Sequence, residues 1–114
     1  MSMPSADELI AHMAEAAEQA VTYIEGLSKD DFLTDKRTQQ AVILNLIILG
    51  EAATKLMDRY PDVVAANASI PWQSMRGMRN RIAHGYYDIN LDVVWQTVSV
   101  ALPELVEGLT GVAA

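Results

Sequence analysis

Arg79, His84 and Tyr86 bring a guanidinium, an imidazole and a phenol together on one short segment. A guanidinium is a planar fork of donors that fits a phosphate and can stabilise the added charge of a pentacoordinate phosphorus. An imidazole titrates near neutrality and so can take or give a proton at pH 7. The set suits proton-assisted chemistry at a phosphate ester; taken alone, Arg79 reads as a surface salt-bridge residue and His84 as a helix-terminal histidine interacting with the dipole. Asn80 lies one helical turn before His84 and one after Arg76, where it can orient the imidazole, bond a phosphate oxygen or simply occupy the helix surface. Arg76 and Arg81 read as auxiliary cations or solvated residues. The other histidine, His12, lacks such neighbours and reads as structural or incidental.

Charge is distributed unevenly around this segment. Arg76, Arg79 and Arg81 are three of the chain's eight Lys and Arg residues, and no Asp or Glu lies between Asp62 and Asp88. Residues 1–35 carry eight acids and one Lys, whereas residues 70–86 carry three Arg and no acid. A formal charge of −7 excludes a protein that coats nucleic acid through its whole surface, since such binding is driven by Lys and Arg displacing counterions. A local contact remains open, centred on the Arg-rich segment. With no cysteine and two isolated histidines there is no ligand cluster of recognised spacing, so no metal and no cofactor is expected.

These side chains need a helix to present them. At 100° per residue Met75, Met78 and Ile82 fall within about 60° of one another, while Arg76, Arg79, Asn80, Ala83 and His84 spread over the other side. The apolar stripe is expected to pack on the core and leave the polar side free. Arg79 and His84 are about 140° apart on this projection, so they do not stack. The reach of Arg79 and a helix end at Gly85 would still let both face one cleft. Pro71 fits the first turn of the helix and the residues after Gly85 read as a loop. Tyr87 is expected to pack, and Trp72 and Trp95 to be buried anchors.

The rest of the chain supplies the support. Ser5 and Glu8 open a first helix of about 20 residues, ending near Gly26 to Ser28. A connector follows in which Phe32 and Leu33 anchor to the core. A long helix from about Asp35 to Tyr60 carries Val42, Leu46, Leu49, Ala53 and Leu56 on one stripe. Leu44, Ile47, Ile48 and Ala52 widen it, so burial on two sides is expected. Gly50 inside it costs about 1 kcal/mol relative to Ala and points to a close helix approach, with Glu51 beside it placed to pair with a motif Arg or cap a partner helix. A short helix over Val63 to Asn67 precedes the turn at Pro71. Asn90 caps a last helix that Pro103 should kink. The result is a single domain over residues 1–114, an all-α antiparallel bundle of four or five helices. The N-terminus lacks the basic residues and apolar core of a signal peptide and no run has the length of a membrane span, so a cytoplasmic protein without membrane contact is expected.

Ile70-Pro71-Trp72, Gly77 to Tyr86, and Leu49-Gly50-Glu51-Ala52 on the long helix resemble the HepT-like proteins of the HEPN superfamily, collinearly from about Asp7 to Leu109. The family motif is Arg, four residues, His, one residue, Tyr, here Arg79, His84 and Tyr86. The resemblance implies a homodimeric all-α toxin, a metal-independent endoribonuclease whose two motif copies line a cleft at the dimer interface. It implies Arg79 and His84 as catalytic, with Asn80, Arg76 and Glu51 auxiliary, and cleavage by the ribose 2′-OH. It also implies a cognate nucleotidyltransferase antitoxin, a separate polypeptide able to transfer AMP to Tyr86. A non-catalytic module that binds nucleotide or RNA for such a partner, and a structural dimer whose Arg residues form interface salt bridges, are the alternatives.

Overall fold

The structure, a computed structural model, describes residues 3–112; the outermost ends of the expected domain lie outside them. Helix α1, Ala6–Tyr23, begins where the Ser5 hydroxyl accepts the Glu8 N–H at 3.1 Å. It gives way to a turn in which Gly26 has φ +77°, a conformation that favours glycine. Helix α2, Lys29–Leu33, opens with a reciprocal capping box between Ser28 and Asp31. Its function is to seat Phe32, which is fully buried with its ring 5.4 Å from that of Trp95.

Helix α3, Lys36–Arg59, is the central element. At about 1.5 Å per residue, its 24 residues account for most of the molecule's 41 Å long axis. Val42, Leu46, Leu49, Ala53 and Leu56 are all buried, as their spacing predicts. α3 packs most extensively on α1 and next on the motif helix. By length and composition it would also pass for a membrane span, but half of that segment is buried inside the bundle. The widened apolar face is only partly covered: Leu44 and Ile48 are 57% and 41% exposed. Two-sided burial therefore fails for these residues, because α1 and the motif helix approach other faces of α3.

Helix α4, Pro61–Ala66, places proline at a first helical position, where a missing N–H costs nothing. The chain then turns into helix α5, Trp72–His84. Trp72 fixes this turn, with its ring buried and its Nε1–H donating to the Asn67 carbonyl at 3.0 Å. Pro71 is the N-cap of α5 and not part of its first turn. Beyond Gly85, the expected loop is a 3-10 turn over Tyr86–Asp88. Asn90 accepts two backbone N–H groups and starts α6, Leu91–Gln96.

A π-helical turn, Thr97–Ala101, joins α6 to α7, Leu102–Leu109, in one unbroken run. The irregularity expected at Pro103 thus falls one turn earlier. Pro103 cannot supply the N–H an α-helix needs there, and the Leu102 N–H reaches five residues back to the Thr97 carbonyl. Val94, Val98, Leu102, Leu105 and Leu109 are buried along this run, and α7 packs on α1. Among the described residues, four long rods and two short helices make the all-α bundle.

Candidate active site on the motif helix and its following turn

α5 is held chiefly by α3. Met75 and Ile82 are buried, as the apolar stripe requires. The polar side is not left free. Arg79 Nη1 meets Glu51 Oε1 at 2.7 Å and Nη2 donates to the Thr54 hydroxyl at 3.1 Å. One turn earlier Arg76 Nη2 meets Asp58 Oδ1 at 2.7 Å. Arg79 projects only about 40° from Met75, so it sits on the shoulder of the buried stripe and not opposite it.

Gly50 makes that position possible. A Cβ there would overlap the Arg79 Cβ and lie 2.9 Å from the Met75 carbonyl oxygen. Missing side-chain volume on α3 is therefore filled by the base of the Arg79 side chain. The close approach that Gly50 suggests and the pairing of Glu51 with a motif Arg are both present. The carboxylates absent from the motif segment are nevertheless restored: Glu51 and Asp58 arrive from α3 and neutralise two of its three Arg residues. Spacing along one chain could not show this, because the pairs lie 28 and 18 residues apart.

Two guanidinium nitrogens, Arg76 Nε and Arg79 Nε, are buried with no hydrogen-bond partner among the described residues. Leaving such a donor unpaired costs about 1–3 kcal/mol. The two arginines are thus locked against α3 at some cost in stability. Arg79 can meet an incoming anion only through the Nη hydrogens that Glu51 and Thr54 leave free.

The other candidates lie in the open. Asn80, Arg81 and His84 are exposed on the outer side of α5. The Gly85 N–H bonds the Arg81 carbonyl and ends the helix with φ −143°, a negative φ and not a left-handed cap. Tyr86 is 46% exposed in the 3-10 turn, and Tyr87, expected to pack, is 99% exposed. Within the chain Arg79 turns toward α3 while His84 turns to solvent. No hydrogen bond between the two side chains is present among the described residues. A cavity of about 240 Å³ between α3, α5 and the last helical run takes Ser74, Met75, Met78 and Arg81 from α5, but neither Arg79 nor His84.

Thr54 and Asp58 were missed by reasoning from the motif alone. The signal was nonetheless present: Glu51, Thr54 and Asp58 fall within about 60° on α3, a polar stripe along its C-terminal half. Among the described residues no three of His, Cys, Asp and Glu gather closely enough to hold a metal ion.

The bundle is all-α, as the resemblance implies, and its motif helix carries an arginine braced on α3 and ends beside an exposed histidine and tyrosine. The family described as Ribonuclease HepT-like matches residues 13–110, and the chain belongs to it. A Thermococcus cleftensis protein named Probable ribonuclease HepT is 35% identical over 98 residues, 86% of each chain. A protein of Methanocaldococcus jannaschii, provisionally named an RNase, is 30% identical over 103 residues, 89% of this chain and 83% of its own. One from Caldanaerobacter subterraneus subsp. tengcongensis, named in the same way, is 28% identical over 96 residues, 84% of this chain and 83% of its own. No solved structure matches the chain.

Proposed function

We propose that this protein is an endoribonuclease that cleaves RNA without a metal ion, with Arg79 on the scissile phosphate and His84 in proton transfer. The carrying observation is the pairing of a braced cation with an open imidazole on one helix. Arg79 is fixed by Glu51 and Thr54, and His84 is exposed five residues on. Membership of a ribonuclease family supports the reading.

In the reaction the ribose 2′-oxygen attacks phosphorus as its proton leaves to a base, and the bond to the 5′-oxygen breaks as that oxygen takes a proton. The products are a 2′,3′-cyclic phosphate and a 5′-hydroxyl. Imidazole can serve either proton step near pH 7. Arg79 supplies the charge that the pentacoordinate phosphate gains. DNA has no 2′-hydroxyl and is not cut.

The active form is a homodimer. Leu44, Ile48 and Glu51 share one face of α3 within about 60°, and the first two are exposed apolar residues. A second copy covering them would meet the Glu51–Arg79 pair and bring a second His84 toward the same RNA strand. The protein is then the toxin of a pair whose antitoxin, a nucleotidyltransferase, transfers AMP to Tyr86. The half-exposed phenol two residues beyond His84 favours this, since AMP there adds bulk and negative charge where RNA phosphate binds.

The test is incubation of purified, unmodified protein with total RNA in EDTA, followed by analysis of the fragment ends. Cyclic phosphate ends are expected from the wild type, with Arg79→Ala and His84→Ala inactive but equally helical by circular dichroism. His84→Ala cutting at the wild-type rate overturns the mechanism.

A further inference from the structure

Beside the 3-10 turn lies a recess of about 230 Å³ that the proposed reaction does not use. Lys36, Gln39, Gln40 and Ile43 line it from the first two turns of α3, and Tyr86 and Tyr87 from the turn. From these residues we infer that it is a nucleobase subsite for single-stranded RNA, in which a base stacks on Tyr87 while Gln40 addresses the base edge and Lys36 the adjoining phosphate. The inference rests on the RNA-cleaving reading above and deepens it.

Tyr87 is the first support. At 99% exposure both faces of its ring are open to solvent. A side chain of this size ordinarily gains stability by burial, and here that gain is forgone. Tyr86 touches it edge-on, with ring centroids 5.8 Å apart and planes 83° from parallel. At 99% exposure this contact covers almost nothing of Tyr87, and its ring stays available. Exposed aromatic faces are the means by which proteins hold unstacked bases, tolerantly of sequence because every base has a π face.

The polar residues fit the same ligand. Gln39 is occupied, donating to the Phe32 carbonyl at 2.9 Å, whereas its neighbour Gln40 is exposed and has an amide able to donate and accept at a base edge. Lys36 is exposed, and the ion pairs among the described residues do not include it. Asp35 next to it turns its carboxylate onto the Thr38 N–H and hydroxyl, at 3.1 and 2.5 Å. Asp88, the acid of the turn, lines a separate concavity with Arg81 and Asn90. Position completes the case: Tyr87 follows His84 by three residues, so their Cα atoms are at most about 11 Å apart. A base on Tyr87 belongs to a nucleotide next to, or close to, the cleaved bond.

The experiment measures binding of a short fluorescein-labelled single-stranded RNA by anisotropy in the non-cleaving His84→Ala protein. Adding Tyr87→Ala is expected to weaken binding about tenfold, within the range that stacking of one base contributes, while Tyr87→Phe retains it. Lys36→Gln should lower the slope of log affinity against log salt by about 0.7, the contribution of one phosphate on a single strand. In the cleaving protein the loss from Tyr87→Ala should fall on KM and alter the pattern of preferred cuts. If the wild type cleaves RNA while Tyr87→Ala binds and cuts as it does, the subsite is overturned and the ribonuclease reading stands. A wild type that neither binds nor cleaves single-stranded RNA overturns both.

Discussion

Gly50 and Arg79 share one volume at the crossing of α3 and α5, the missing side chain of the first being the space filled by the stem of the second. Gly50→Ala should therefore act oppositely to its effect in an open helix, where alanine gains about 1 kcal/mol. The methyl group meets the Met75 carbonyl at 2.9 Å as well as the Arg79 stem, so backbone and not just a flexible side-chain end must move. Overpacking of this kind costs about 1–3 kcal/mol. A lower melting temperature, with RNA cleavage falling further than the folded fraction does, is the expected outcome. Unchanged melting and activity would show that the crossing yields freely.

Glu51 braces Arg79 and, on the proposed function, would compete with phosphate for it. Glu51→Gln keeps an oxygen acceptor for Arg79 Nη1 and removes the competing charge, so KM for RNA should fall with little change in kcat. Glu51→Ala removes the brace, and kcat should fall several-fold. Steady-state kinetics of the two variants separates the roles; identical behaviour would mean that Glu51 contributes charge alone.

Leu44 and Ile48 carry the dimer proposal. Leu44→Asp with Ile48→Asp should give a folded monomer by light scattering at micromolar concentration, because both residues are exposed, at 57% and 41%, and neither belongs to the buried core. Cleavage should be lost with the dimer. A monomeric wild type would remove the shared cleft.

Tyr86→Phe keeps the ring and deletes the acceptor oxygen. Incubation with ATP and the cognate nucleotidyltransferase should add adenylyl mass to the wild type and none to the variant. Equal labelling would place the modification elsewhere.

At the start of α3, the Thr38 hydroxyl and backbone N–H hold the Asp35 carboxyl below its ordinary range, with Arg37 adding to the effect. A group whose pKa is lowered on folding stabilises the folded state above its unfolded pKa, and that contribution disappears as pH falls through the folded one. Asp35→Ala should consequently melt earlier than wild type at pH 7, and the gap should close in acid. A gap that persists at pH 2 would assign the effect to the helix start and not to the charge.

Three of the rods were legible because their stripes are long and regular: Leu9 to Ala20 on α1 and Val42 to Leu56 on α3 bury as spaced, as do Val94, Val98, Leu102, Leu105 and Leu109 on the last run, whereas Trp95, expected as a buried anchor, stays partly exposed. The motif was legible as a list of side chains on a helix but not as an electrostatic unit. Helical projection places Arg79 on a shoulder without saying what stands opposite. Only the crossing of α3 and α5 brings Glu51, Thr54 and Asp58 to the arginines. Tyr87 was misread for a related reason. A single aromatic in a short turn is buried or exposed according to the path of that turn, and the 3-10 geometry of Tyr86–Asp88 carries it outward.

The motif helix is supported unequally along its length, and this sets how its two halves move. From Trp72 to Arg79 it is anchored on α3, whereas Asn80, Arg81, Ala83 and His84 are exposed and only Ile82 is buried in its last two turns. Amide exchange should report the difference as strong protection around Met75 to Arg79 and near-intrinsic rates from His84 through Tyr87. The phosphate-binding cation would then be preorganised before RNA arrives. On the proposed function the proton-transfer and base-stacking groups would be ordered by the RNA itself, and anything that restrained only that loosely held end would silence cleavage.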